Sequence, residues 1–101
     1  MIEHEKQRNA VTVKLAGELD HNTALRIRED LDQLISDPHV KRLIFDMNEL
    51  SFMDSSGIGM IIGRYKVMAR RGGTVAVRAN NSHVERLIEL SGLYQIVERL
   101  A

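Results

Sequence analysis

The chain has 101 residues, the length of one domain, and its 14 basic and 14 acidic residues cancel to a formal net charge of zero. That balance offers no global field to nucleic acid or an anionic membrane, and only four aromatics (Phe45, Phe52, Tyr65, Tyr94) are present to stack on bases. Without cysteine there is no disulfide framework, no thiolate zinc site and no thiol nucleophile.

The opening "MIEHEKQRNA" lacks the apolar core of a signal peptide, and no run of about 18 apolar residues could span a bilayer. A soluble, cytoplasmic chain is expected, with no membrane partner. "IEHEKQ" reads as an edge strand, with Arg8 and Asn9 turning into "AVTVKLAG", where Val11, Val13 and Leu15 alternate with Thr12 and Lys14. From Asn22 to Ile35 the apolar residues Ala24, Ile27, Leu31, Leu34 and Ile35 keep helical spacing, with Asn22 as N-cap and Asp37-Pro38 as the stop. "RLIFDM" is a short apolar run, expected of a central strand covered on both faces.

A short link then leads into "FMDSSGIGM", Phe52 to Met60. Beyond it Ile58, Ile61, Ile62, Tyr65, Met68 and Ala69 form one helical stripe, opposite Arg64, Lys66, Arg70 and Arg71, and Gly72-Gly73 ends the helix. "TVAVR" is a strand, and Ser82 and Glu85 of "SHVE" read as a capping box for a helix through Val84, Leu87 and Ile88 that stops at Gly92. "QIVE" makes the last strand. Strands alternating with helices imply a single α/β domain over residues 1–101, with a mixed, mostly parallel sheet of four to five strands and helices packed against it.

The hydroxyl-rich stretch admits several chemistries. A nucleophile elbow needs Gly-x-Ser-x-Gly, and Asp54 stands where the first glycine belongs. None of the four histidines has a triad context, and Glu18, Asp20 and Asp54 read more simply as solvated loop acids capping helices. Gly57, Gly59 and Gly63 approach a dinucleotide fingerprint, but the last glycine falls one residue late. Gly59 and Gly63 are better read as allowing close packing of the helix on the sheet. Asp54, Ser55 and Ser56 then compete for one cap, which leaves a hydroxyl free at the helix mouth. Such an arrangement suits a hydroxyl offered to another protein's active site.

"GELDHNTA" (Gly17 to Ala24), "FMDSSGIGMIIGRYK" (Phe52 to Lys66) and "RLIELSGLYQIV" (Arg86 to Val97) resemble the anti-sigma factor antagonists of the STAS domain family, over nearly the whole chain. The resemblance implies a non-enzymatic regulator of sporulation type that binds an anti-sigma factor serine kinase and frees a sigma factor. It implies phosphorylation at Ser56, with Ser55 as supporting cap, and a serine phosphatase that resets the cycle. The implied partner surface takes in Glu18, Asp20, His21, Asp54, Ser55, Ser56, Gly57, Ile58 and Gly59. The resemblance further implies a monomer that needs no cofactor or metal of its own, because ATP and magnesium belong to the kinase. The alternative is a scaffold module of a stress-signalling assembly, which would form a stable oligomer.

Overall fold

The structure is a computed structural model that describes residues 2–101. Strand β1 (Ile2–Gln7) turns at Arg8, which takes a left-handed φ of 58°, and pairs antiparallel with β2 (Ala10–Leu19). Helix α1 (His21–Leu34) leads to β3 (Arg42–Met53), α2 (Ser55–Arg70) to β4 (Thr74–Arg78), and α3 (Ser82–Ser91) to β5 (Glu98–Leu100). The five strands lie in sequence order, and every pair after the first is parallel, as the alternation of strands and helices requires.

Burial follows the pleat. Val11, Val13 and Leu15 of β2 and Leu43, Phe45 and Met47 of β3 are fully covered, while Thr12, Lys14, Arg42 and Asp46 are only half-buried. The sequence suggested a short β3 covered on both faces; it is instead an alternating strand of 12 residues. Its buried positions continue at Leu50 and Met53, steps of three where a regular strand would take two. Two bulges against β2 account for this: Lys14 pairs with Asp46 but Ala16 with Glu49, and Gly17 pairs with Leu50 but Glu18 with Phe52. Gly17 takes a left-handed φ of 81° there, and the Ser51 hydroxyl donates to its carbonyl at 3.1 Å. No link separates strand from motif. The strand runs to Met53 and the helix starts at Ser55.

Two of the helices, α1 and α3, begin before their expected caps, and at α2 one of the three competing residues takes the place. Asp20, not Asn22, caps α1; Asp54, not a serine, caps α2; Asn81 caps α3 by accepting from His83 N–H at 2.9 Å and Val84 N–H at 3.2 Å, which leaves Ser82 inside the first turn. Gly92 ends α3 in the left-handed region, a 3₁₀ turn over Leu93–Gln95 follows, and the last strand starts at Glu98, the final residue of the expected "QIVE". Glu85 receives the Tyr94 hydroxyl and the Arg99 guanidinium, tying α3 to β5.

The buried stripe of α2 is rotated from the sequence expectation. Gly57, Ile61, Arg64 and Met68 face inward with Ile58 and Met60, whereas Ile62 and Tyr65 are half-buried. Close packing falls to Gly57 alone: a Cβ there would meet Met53 Cγ at 2.6 Å and Leu19 Cδ2 at 2.9 Å. At Gly59 and Gly63 it would meet nothing within 4 Å, so these two do not serve contact with the sheet. Gly57→Ala should therefore destabilise the fold by about 1–3 kcal/mol through overpacking. Gly59→Ala should stabilise it by up to about 1 kcal/mol through helix propensity. Urea unfolding of the two variants checks the contrast, and equal shifts would contradict the packing.

Candidate functional site

Parallel strands in register deliver their following residues to one edge of the sheet. Leu19 and Met53 pair at the ends of β2 and β3, and Asp54 N–H donates to the Leu19 carbonyl at 3.2 Å. Each strand is followed at once by an aspartate and then a helix. The mouths of α1 and α2 therefore sit side by side, with Asp20 and Asp54 in equivalent places.

The first mouth is closed by a reciprocal box. Asp20 Oδ1 accepts from Thr23 N–H at 3.0 Å, and Thr23 Oγ1 accepts from Asp20 N–H at 2.8 Å. The Thr23 backbone N–H, followed by its hydroxyl, holds the Asp20 carboxyl below the ordinary carboxylate range, against a smaller opposing push from burial. At the second mouth, Asp54 Oδ1 accepts from Ser56 N–H at 2.9 Å and the Asp54 carbonyl from Gly57 N–H at 3.0 Å. With Asp54 as cap, neither serine is needed for that task. Among the described residues neither serine hydroxyl enters a hydrogen bond; Ser55 is exposed, and Ser56 is half-buried one position further into the helix.

Seven of the nine residues named for the partner surface lie exposed or half-buried around these two mouths: Glu18, Asp20, His21, Asp54, Ser55, Ser56 and Gly59. Gly57 and Ile58 turn inward, Gly57 against Leu19 and Met53 and Ile58 into the core at 7% exposure. Glu18 uses its carbonyl, accepting from the Thr23 hydroxyl at 3.0 Å, and leaves its side chain in solvent.

Sequence reasoning missed a groove of about 370 Å³ between α1 and α2. It runs from His21 and Ser56 past Gly59 and Gly63 to Arg28 and Arg64. Arg64, expected among the solvated basic residues, is buried with its Nε 3.1 Å from Asp32 Oδ1. The signal was there, since Gly57, Ile61, Arg64 and Met68 share helical spacing; charge masked it. Also unforeseen is a stack of half-exposed Phe52 on His83, ring centroids 5.5 Å apart, at the same end of the sheet. No helix among the described residues is long and apolar enough to cross a membrane, and none of their acidic and histidine side chains cluster as a metal site would need.

Comparison with known proteins places this geometry. The STAS domain family model matches residues 1–101. An anti-sigma F factor antagonist from Paenibacillus polymyxa is 42% identical over 96 residues, covering 95% of this chain and 82% of that one. The solved structure of the anti-sigma factor antagonist SpoIIAA in its unphosphorylated form aligns with all of this chain and 88% of its own at a TM-score of 0.79 and 29% identity. The Bacillus cell fate determinant SpoIIAA in the phosphorylated form aligns with all of this chain and 92% of its own, at 0.78 and 28%.

The Asp20 cap carries a testable charge. Its carboxyl should titrate below the usual value of about 3.9 in carbon-detected NMR, and Thr23→Ala should move the midpoint up without restoring it fully, since the backbone N–H remains. A carboxyl whose folded pKa is depressed contributes stability that is fully present above its unfolded value. That contribution is lost as pH falls through the folded one. An unshifted Asp20 midpoint would remove the box as the cause.

Proposed function

The chain belongs to the STAS domain family, and within it to the anti-sigma factor antagonists, regulators rather than enzymes; from that premise we propose that Ser56 is its phosphorylation switch. In its unphosphorylated form the chain binds an anti-sigma factor serine kinase in the cytoplasm as a monomer and frees a sigma factor for sporulation-type transcription. A serine phosphatase restores that form.

The observation that carries this reading is the free hydroxyl of Ser56 in a helix mouth already capped by Asp54. A kinase asks only this of its substrate. Its own base takes the hydroxyl proton, the Ser56 oxygen forms a bond to the γ-phosphorus of ATP, and the bond to ADP breaks; magnesium and nucleotide stay with the kinase. The product adds about −1.5 to −2 charges beside Asp54 and Asp20. A partner surface fitted to a neutral hydroxyl then meets an anion, and a 100-fold loss of affinity needs only about 2.8 kcal/mol. That SpoIIAA has been solved in both forms, with near-equal likeness to this chain, supports a switch that leaves the fold in place.

Ser56→Ala should abolish phosphorylation by the cognate kinase, retain binding to it, and cost at most about 1 kcal/mol of stability, since the cap resides on Asp54. Ser55→Ala should still be phosphorylated. Intact-mass spectrometry after incubation with kinase and ATP reads both, and stoichiometric modification of Ser56→Ala would reject the assignment.

A further inference from the structure

We propose that the groove between α1 and α2 is a second half of the partner surface, and that it takes an acidic side chain from the segment of the kinase adjoining the one that meets Ser56. The inference rests on the reading of Ser56 given above and extends it along the helix.

Gly59 and Gly63 set the first constraint. Each disfavours a helix interior relative to alanine. Neither brings the helix close to anything, because a Cβ would find open space at both positions. Together they leave the α2 wall of the groove bare beyond Ser56, with room for a partner's chain to lie along it.

Charge sets the second. The Arg64 side chain is 8% exposed, and its Nε and Nη1 hydrogens have no hydrogen-bond partner, although Asp32 Oδ1 stands 3.1 Å from Nε. Asp32 also faces Arg28, at 4.0 Å, so one half-exposed carboxylate serves two guanidinium groups. The far end of the groove therefore keeps an uncompensated positive charge and buried donors without acceptors, a costly arrangement for a fold to retain on its own. An incoming carboxylate can take the exposed Arg28 guanidinium in fork geometry, which leaves Asp32 to the buried Arg64 beside it. Leu25, 49% exposed on the groove's α1 wall, offers the apolar contact that would flank it.

Both ends of the groove then act in one switch. The hydroxyl of Ser56 and the guanidinium groups are read by a single stretch of the kinase. A phosphoryl group on Ser56 sets an anion at the groove's head, where the same stretch of the kinase must seat before it can reach the guanidinium groups.

The test is isothermal titration of the full chain with purified cognate anti-sigma factor kinase. Arg28→Glu, at an exposed position, and Gly63→Leu, which fills open space, should each weaken binding by about tenfold or more while circular dichroism stays native. The loss from Arg28→Glu should shrink as salt rises, and one Asp→Lys or Glu→Lys change on the kinase should restore binding to that variant. If both variants bind within about twofold of the parent while Ser56 is still phosphorylated, the groove proposal fails and the switch stands. If the parent chain neither binds nor is phosphorylated, the reading of Ser56 fails and takes the groove with it. Saturation of the Arg64 Nε–H resonance by inorganic phosphate alone, with no rescue by any kinase variant, would also overturn it in favour of a free-anion site.

Discussion

The alignment of two strand ends governs everything at the functional edge. Leu19 pairs with Met53, both side chains are buried, and the Leu19 carbonyl takes the N–H of Asp54. Because β2 and β3 stop level, α1 and α2 start level, and their caps and first turns form one surface rather than two. The two bulges in β3 are what bring Met53 opposite Leu19; without them Ser51 would stand there, and the end of the strand would overshoot that of β2. Gly57 completes the lock, for only a residue without Cβ fits against that buried pair.

This lock explains a division of labour within the motif. Asp54 satisfies the helix mouth, Gly57 and Ile58 anchor it, and Ser55, Ser56 and Gly59 are left facing outward. Anchoring and presenting residues thus alternate along one helical turn, which is how a rigid element can hold a hydroxyl outward without committing it to the fold. The same division continues down the helix, where Ile61 and Met68 anchor while Gly63 remains open and Arg64 turns toward α1.

The order of strands and helices, the antiparallel edge and the placement of the motif at a strand-to-helix turn were all legible, because each depends on local periodicity. The misassigned caps have a common cause. Asn22, Ser82 and the paired serines are good capping residues, but the cap is decided by where the strand before it ends, a tertiary matter of register. Arg64 reads as solvated from its charge, although its spacing from Gly57, Ile61 and Met68 points inward. The groove was invisible for a further reason: it is shared by two helices whose rotation about their own axes no single segment encodes. Gly59 and Gly63 were seen as special, and only the structure shows that they open a surface instead of closing one.

Energetics set how far a charge at Ser56 could act. The N–H of Ser56 is already engaged by Asp54 and that of Gly57 by the Asp54 carbonyl, so a phosphoryl group there would find no idle donor between them. Its repulsion from Asp54 would amount to about 1 kcal/mol per charge at 4 Å in bulk water. The helix N-terminus would return about 0.3–1 kcal/mol. At about −1.5 to −2 charges the repulsion exceeds that return, by at most about 2 kcal/mol. Refolding the domain would mean exposing core side chains such as Ile61 and Met68, at roughly 1.5–3 kcal/mol each. The internal balance cannot reach that threshold, whereas an interface needs only a small misfit to part. The positions that could transmit the change are therefore those that leave the fold alone: two helix mouths, a bare helical face and a guanidinium short of acceptors.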